Sequence, residues 1–278
     1  MRRIEGYCAV VADRFDLDGA RVLVTGGSSG IGAALARGFA DAGATVGICG
    51  RRADRLAEVA ADLGPTGRHW VVDLADLDGI PRFAATVLED LGGLDILVNN
   101  AGIPKRRWVW DLDPATVEAV MGINYLSPVA LTLELLGELT AQSGAVVFVS
   151  SVAARLSPPA EAAYSASKAA LTAFAEGLAV DLAVRGDPVG VHVVNPGVID
   201  TELFTLPDND ESIADVEPLP VEAMVAPVLD AITGGVFEIY VPEWFADVVP
   251  VKFPDTGAYL QGSAEYARQR LEALGRSL

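Results

Sequence analysis

Tyr164 and Lys168 stand four residues apart in Tyr164-Ser165-Ala166-Ser167-Lys168, and Ser150-Ser151 lies thirteen to fourteen residues upstream. On a helix, positions i and i+4 share one face, so phenol and ammonium enter the same space. An unperturbed phenol titrates near pH 10, roughly three units too high for acid–base work at neutrality. A cation held beside it favours the phenolate, lowers that value and makes the tyrosine a usable proton donor or acceptor. A serine at a strand end beside such a pair supplies a hydroxyl that hydrogen-bonds a substrate oxygen and holds it against the phenol. The chain has only three lysines and six tyrosines. The spacing is still a weak signal alone and takes its weight from its surroundings.

The elements that position such a site begin near the N-terminus. Arg21-Val-Leu-Val-Thr25 reads as a short buried strand, Gly26-Gly-Ser-Ser-Gly-Ile-Gly32 follows it, and a run of small and apolar residues suited to a helix comes next. Strand, glycine turn and helix form the context of a dinucleotide fingerprint. The glycines allow the backbone to approach a pyrophosphate, and the free N–H groups of the helix start meet its charge. The spacing here is G-x3-G-x-G, and glycine-rich strand–helix turns without a nucleotide also exist.

Short Val/Ile/Leu-rich runs alternate with alanine-rich helical stretches along the rest of the chain, the pattern of a doubly wound, Rossmann-type α/β fold with a parallel sheet of about seven strands. Strands are expected at 21–25, 45–49, 69–72, 95–98, 145–150, 189–195 and 237–241. Helices are expected at 31–42, 53–63, 77–91, 114–140 (broken near Asn124), 161–184, 221–232 and 263–274, with Asp54 or Asp76 as caps. No composition shift marks a linker, which predicts one domain with a C-terminal extension. Residues 203–220 are acidic and broken by prolines, suited either to a flap over a ligand or to a solvated loop. The tail at 243–278 holds Trp244, Phe245, Phe253 and Tyr259, aromatics that pack a terminal segment onto the body.

Composition narrows the function classes. The chain has 278 residues, 51% of them hydrophobic, and a net charge of −18. Such a chain supports a large core and repels nucleic acid and anionic lipid. No run approaches eighteen apolar residues, so no membrane span is expected. Acidic residues interrupt the N-terminal stretch, so no secretory leader is expected there. The two cysteines, Cys8 and Cys49, give no disulfide framework, and a cytoplasmic location is the expectation. The two histidines, His69 and His192, sit in strand-like runs, and no metal site is expected.

With these pieces in place, the chain resembles the short-chain dehydrogenase/reductase superfamily from about Gly19 to Val241. Thr25-Gly26-x-x-x-Gly30-x-Gly32 resembles the family's cofactor turn, and Asp73-Leu74 its adenine-contacting position. Asn99-Asn100-Ala101-Gly102 resembles its Asn-Asn-Ala-Gly signature. Asn124, Ser151, Tyr164 and Lys168 match the catalytic quartet, and the family's spacing selects Ser151 over Ser150. Asn195-Pro196-Gly197-Val198-Ile199-Asp200-Thr201 resembles the segment that meets the nicotinamide carboxamide.

The resemblance implies hydride exchange with a nicotinamide cofactor. Ser151 holds the substrate oxygen, Tyr164 gives or takes its proton, Lys168 lowers the phenol and binds the ribose, and the carbonyl of Asn124 holds a relay water. The cofactor residues it implies are Gly26, Ser28, Ser29, Gly30, Ile31, Gly32, Arg51, Arg52, Asp73, Leu74, Asn100, Ala101, Gly102, Tyr164, Lys168, Pro196, Gly197, Ile199 and Thr201. Asn99 is expected to link the central strands through its side chain. The stripe Leu171, Phe174, Leu178 and Leu182 suits either a core face or the helix-based homodimer that the family implies.

At the end of the second strand, Gly50 stands where NAD-specific relatives place an aspartate, and Arg51-Arg52 follow. Two guanidiniums suit a 2′-phosphate, so NADP(H) is expected, with NAD(H) as the alternative. Ile103, Trp108, Trp110, Val152-Ala153-Ala154 and Val198-Ile199 form a mostly apolar expected pocket, fit for a hydrophobic ketone or secondary alcohol. Lys105, Arg106 and Arg107 suit either an acidic substrate group or a solvated loop. An epimerase or dehydratase relative, and a non-catalytic cofactor-binding protein, are the competing classes. Thirty-six residues follow Pro242, which puts the family's usual tetramer in doubt.

Overall fold

A computed structural model describes residues 15–202 and 209–276. The N-terminal segment that contains Cys8, and the first part of the expected flap, lie outside the described residues. The elements run β1 (Arg21–Thr25), α1 (Gly30–Asp41), β2 (Thr45–Gly50), α2 (Ala53–Asp62), β3 (Arg68–Val71), α3 (Ile80–Leu91), β4 (Ile96–Asn99), α4 (Pro114–Met121) and α5 (Ser127–Ala141). They continue with β5 (Ala145–Val149), α6 (Ala153–Leu156), α7 (Ala162–Arg185), β6 (Gly190–Pro196), α8 (Val225–Gly234), β7 (Glu238–Val241), α9 (Phe245–Val248) and α10 (Thr256–Ala273).

The seven strands form one sheet in the order β3-β2-β1-β4-β5-β6-β7, parallel at every pairing. Successive side chains of a strand leave opposite faces, and both faces here are covered. Val22 and Val24 of β1 join α1 and α8 residues such as Leu35, Phe39 and Val228 in one core. Leu23, between them, joins Val87, Leu135 and Leu171 of α3, α5 and α7 in the other. The strand order reverses between β1 and β4, so a crevice opens there at the carboxyl ends of the strands, where such sheets take their ligands.

All seven expected strands are present, as are the long helices, with several local departures. The helix expected to break near Asn124 instead passes through one wide π turn, Gly122–Leu126, between α4 and α5. Asp76 caps a short 3₁₀ turn by accepting from Gly79 N at 3.3 Å, whereas Asp54 lies in the first turn of α2 and Arg52 occupies the cap position. The final helix begins at Thr256, earlier than expected, where Asp255 caps it by accepting from Ala258 N at 2.9 Å. Leu171, Leu178 and Leu182 are buried in the core, so their stripe is a core face. Val180 and Val184, on another side of α7, are the exposed ones.

The run Pro114–Ala141 is, by length and composition, apolar enough to cross a membrane. Here it lies against the sheet, with Leu131, Leu135 and Leu139 buried.

Candidate active site

The glycine turn is held by the end of β4. Thr25 Oγ1 accepts from the backbone N–H groups of Asn100 (2.9 Å) and Ala101 (3.0 Å), and Asn100 Nδ2 donates to Thr25 O at 2.9 Å. Gly26 and Gly30 adopt left-handed φ values of 66° and 55°. A Cβ at Gly26 would come within 2.8 Å of Ala101 Cα, so glycine is required for this approach as well as for the turn. A Cβ at Gly30 would meet Thr201 Cγ2 at 3.3 Å, and one at Gly102 would meet Asn124 Oδ1 at 3.2 Å and Lys168 Nζ at 3.5 Å. The start of α1, Thr201 and the Ala101-Gly102 turn thus face one another across a narrow crevice with bare backbone on its walls. That cradle, with a twelve-residue helix pointing its N-terminus into it, fits a dinucleotide pyrophosphate and ribose.

Beyond Gly50, the end of the crevice is more charged than the turn. Arg52 donates to Ser28 Oγ (2.9 Å) and Ser29 Oγ (2.6 Å), and its other edge pairs with Glu202 at 2.7 Å. Arg55 also pairs with Glu202. Arg51 is exposed and Asp73 is exposed, its Oδ1 accepting from Ala75 N at 3.0 Å, while Leu74 is buried beneath it.

At the other end of the crevice, Tyr164 and Lys168 of α7 share a face as the spacing requires. Lys168 Nζ lies 5.9 Å from the centre of the Tyr164 ring and donates to Val149 O, the last residue of β5, at 2.8 Å. Ser151 lies two residues beyond the end of β5, and its hydroxyl stands near enough to the Tyr164 side chain to favour the phenolate. It also accepts from Ala153 N at 3.1 Å. Ser150 points away, bonded to Lys168 O (3.1 Å) and Thr172 Oγ1 (2.8 Å), which leaves Ser151 as the serine that meets the tyrosine.

Asn124 is fully buried in the π turn. Its Oδ1 accepts from Ile103 N (2.8 Å), and its Nδ2 donates to Ile103 O (3.0 Å) and Ser167 Oγ (3.1 Å). The side chain therefore ties the loop after β4 to α7. Asn99 bonds Thr132 of α5 at 2.9 Å, not a neighbouring strand.

Burial, together with the carboxylate of Glu161, pushes the Tyr164 phenol up from its ordinary value, opposed by the Ser151 hydrogen bond and the Arg106 guanidinium. The expected lowering by Lys168 is absent from this balance, because the amine itself is pushed down to about 8 by burial and is turned to Val149 O. Glu161 sits one turn before the tyrosine and is pushed up to about 7 by burial, opposed by Arg106. Sequence reasoning missed Glu161; an acid at the start of α7 gave no signal of facing inward.

Pro196 O accepts from Val152 N at 3.0 Å, and Gly197 N donates to Val241 O at 2.8 Å, which holds the Pro-Gly segment between the Ser151 loop and β7. Ile199 is buried and pairs with Leu219. Trp110 is largely exposed and stacks on Trp108 at 5.0 Å, so it covers the loop from outside. Arg106 is buried, with its Nε on Asp210 O at 2.9 Å. The described part of the expected flap is docked, Ile213 packing with Trp108, Ala267 and Leu271. Near Tyr164 the walls are thus mixed, with Arg106 and Glu161 among the apolar residues.

The sequence profile described as short chain dehydrogenase matches residues 20–211. The chain is 40% identical over 197 residues to dehydrogenase/reductase SDR family member 7B of Rattus norvegicus, a match covering 67% of this chain and 60% of that protein's length. Among solved structures, a short chain dehydrogenase/reductase of Burkholderia phymatum in complex with NAD superposes with a TM-score of 0.80 at 23% identity, covering 87% of this chain and 95% of that one. An alcohol dehydrogenase of Thermococcus sibiricus complexed with 5-hydroxy-NADP superposes with a TM-score of 0.71 at 21% identity, covering 80% and 96%. These two show the shared fold. On the profile match over most of its length, the chain belongs to the short-chain dehydrogenase family of oxidoreductases.

Proposed function

We propose that this protein is an NADP(H)-dependent oxidoreductase that interconverts a hydrophobic ketone and its secondary alcohol at Asn124, Ser151, Tyr164 and Lys168. The observation that carries the reading is the meeting of Tyr164 with Ser151 and Lys168 at the carboxyl end of β5, within reach of the glycine-lined crevice. The nicotinamide, when bound, supplies or accepts the hydride. Ser151 holds the substrate oxygen through its hydroxyl. Tyr164 gives that oxygen a proton in reduction and takes one back in oxidation. Lys168 orients the ribose and places its charge beside the phenol. Asn124, through its side chain, holds the loop that carries Gly102 against α7.

The proposed preference for NADP(H) is supported by Arg52, which is fixed by two serine hydroxyls of the glycine turn beside Gly50, where its guanidinium would suit a 2′-phosphate. One solved neighbour was captured with NAD and another with 5-hydroxy-NADP, so the choice belongs to this chain's own residues. Trp108, Val152, Ala153 and Ile199 support a hydrophobic substrate. A homodimer through α5 and α7 is part of the proposal, supported by exposed Leu133, Val180 and Val184.

The test is a panel of steroid, aromatic, sugar and 3-oxoacyl ketones with NADPH and NADH, followed by nicotinamide absorbance. Turnover of apolar ketones with a higher kcat/KM for NADPH is expected. Activity confined to sugars, or a preference for NADH, overturns the corresponding part.

A further inference from the structure

We propose that Glu202 is an internal competitor for the cofactor's 2′-phosphate and sets how strongly this protein discriminates NADP(H) from NAD(H); the inference rests on the NADP(H) reading above. Arg52 caps α2 and Arg55 stands in its first turn, yet both guanidiniums converge on one carboxylate supplied from far along the chain. Arg52 Nη1 meets Oε2 at 2.7 Å, and Arg55 Nη1 meets Oε1. Each carboxylate oxygen is taken by a different arginine, the arrangement that two oxygens of a phosphate monoester adopt between two guanidiniums. On its far edge, Arg52 is braced by Ser28 and Ser29 of the cofactor turn. Glu202 also directly follows Thr201, the residue that faces Gly30 across the crevice. The carboxylate therefore stands on the cofactor's own path.

The strength of this contact suits a competitor. The three side chains keep between 41% and 45% of their exposure, so each pair is screened by solvent and weak enough to be displaced. A phosphate monoester carries about −1.5 to −2 charges near neutrality against one for the carboxylate. It can displace Glu202, but it does so against that contact and against the residual negative charge nearby. A cofactor with a free 2′-hydroxyl needs neither arginine and leaves Glu202 in place. Glu202 thus weakens the phosphorylated cofactor selectively.

The experiment measures dissociation constants of NADPH, NADH and adenosine 2′,5′-bisphosphate by calorimetry for the wild type, Glu202→Gln and Glu202→Asp. Tightening of NADPH and of the bisphosphate by about 3- to 20-fold in Glu202→Gln, the equivalent of one or two exposed ion pairs, supports the inference when NADH stays within twofold. The gain should shrink at high salt, disappear in Glu202→Gln/Arg52→Met, and be smaller in Glu202→Asp, which keeps the charge. An unchanged NADPH constant in folded Glu202→Gln, or equal tightening of NADH, overturns it while leaving the cofactor reading intact. A wild type that binds NADH more tightly and ignores the bisphosphate overturns the cofactor reading itself.

Discussion

Lys168 Nζ donates to the Val149 carbonyl at 2.8 Å while standing 5.9 Å from the centre of the Tyr164 ring. One residue of α7 thereby fixes the end of β5, from which Ser151 departs, and keeps its charge on the tyrosine's side. The phenol, the serine hydroxyl and the amine are set by the same strand–helix contact. A change that moves α7 relative to β5 displaces all three together.

Replacing Tyr164 by Phe removes the proposed proton donor and leaves the ring's packing. General acid–base catalysis of this kind contributes about 10²- to 10⁴-fold, so turnover should fall by that factor in Tyr164→Phe. The NADPH dissociation constant should stay within about threefold, because phenylalanine keeps the ring and removes only the hydroxyl. A variant that keeps more than a tenth of wild-type turnover removes Tyr164 from the chemistry.

The pH dependence follows from two groups pushed in opposite directions. Burial lowers Lys168 to about 8, so the free protein loses that charge as pH rises through about 8. For ketone reduction, kcat/KM should fall above that pH. Glu161 is raised to about 7, is ionised above that pH, and then opposes ionisation of Tyr164. In alcohol oxidation, Glu161→Gln should shift the ascending limb to lower pH. The sign for stability is also set: a carboxyl whose folded value is raised stabilises most below its unfolded value and loses that contribution as pH climbs through about 7. The melting temperature of Glu161→Gln, relative to wild type, should therefore rise from pH 5 to pH 8. A flat difference removes Glu161 from both roles.

Much of this arrangement was legible because it depends on backbone geometry. Gly26, Gly30 and Gly102 announce close approaches that only glycine allows, and Val/Leu runs such as Arg21–Thr25 announce strands buried on both faces. The i, i+4 relation of Tyr164 and Lys168 fixes their shared face for the same reason. Side-chain partners across the fold left no such trace. Glu202 reaches Arg52 and Arg55 from beyond the sixth strand, and Glu161 faces the phenol only because the Ser157–Ala160 turn, with left-handed Ser157 and Ala160, swings it inward. The π turn at Asn124 was visible as an irregularity, but its hydrogen bonds to Ile103 and Ser167 depend on tertiary contact.

Asn124→Ala strips three hydrogen bonds from a fully buried position and leaves Ile103 without its side-chain partner. Unsatisfied buried groups cost on the order of 1–3 kcal/mol each. At about 2–4 °C per kcal/mol for a chain near this size, two unpaired Ile103 groups should lower the melting temperature by about 4–24 °C in a thermal scan. An unchanged melting temperature shows that the residue acts without this structural tie.

The C-terminal extension reaches the active site through α6, the four-residue helix that begins two residues after Ser151. Lys252 Nζ donates to Arg155 O at 2.8 Å, and Tyr259 OH donates to Leu156 O at 3.0 Å. These are orphan carbonyls of a helix end, which need donors from elsewhere. Arg155 itself is held by Glu238 and Glu176, so the far side of α6 is anchored to β7 and α7 while the tail holds its carbonyl end. Without the tail donors, α6 is free to shift at the end that sets the Ser151 loop, and small misplacements of reacting groups are costly in rate. Tyr259→Phe and Lys252→Met should each lower kcat about 3- to 30-fold, with NADPH affinity within twofold of wild type. The double variant should lose more than either single one. Wild-type kcat in the double variant, measured on folded protein, would show that the extension merely covers the surface and has no hold on the serine.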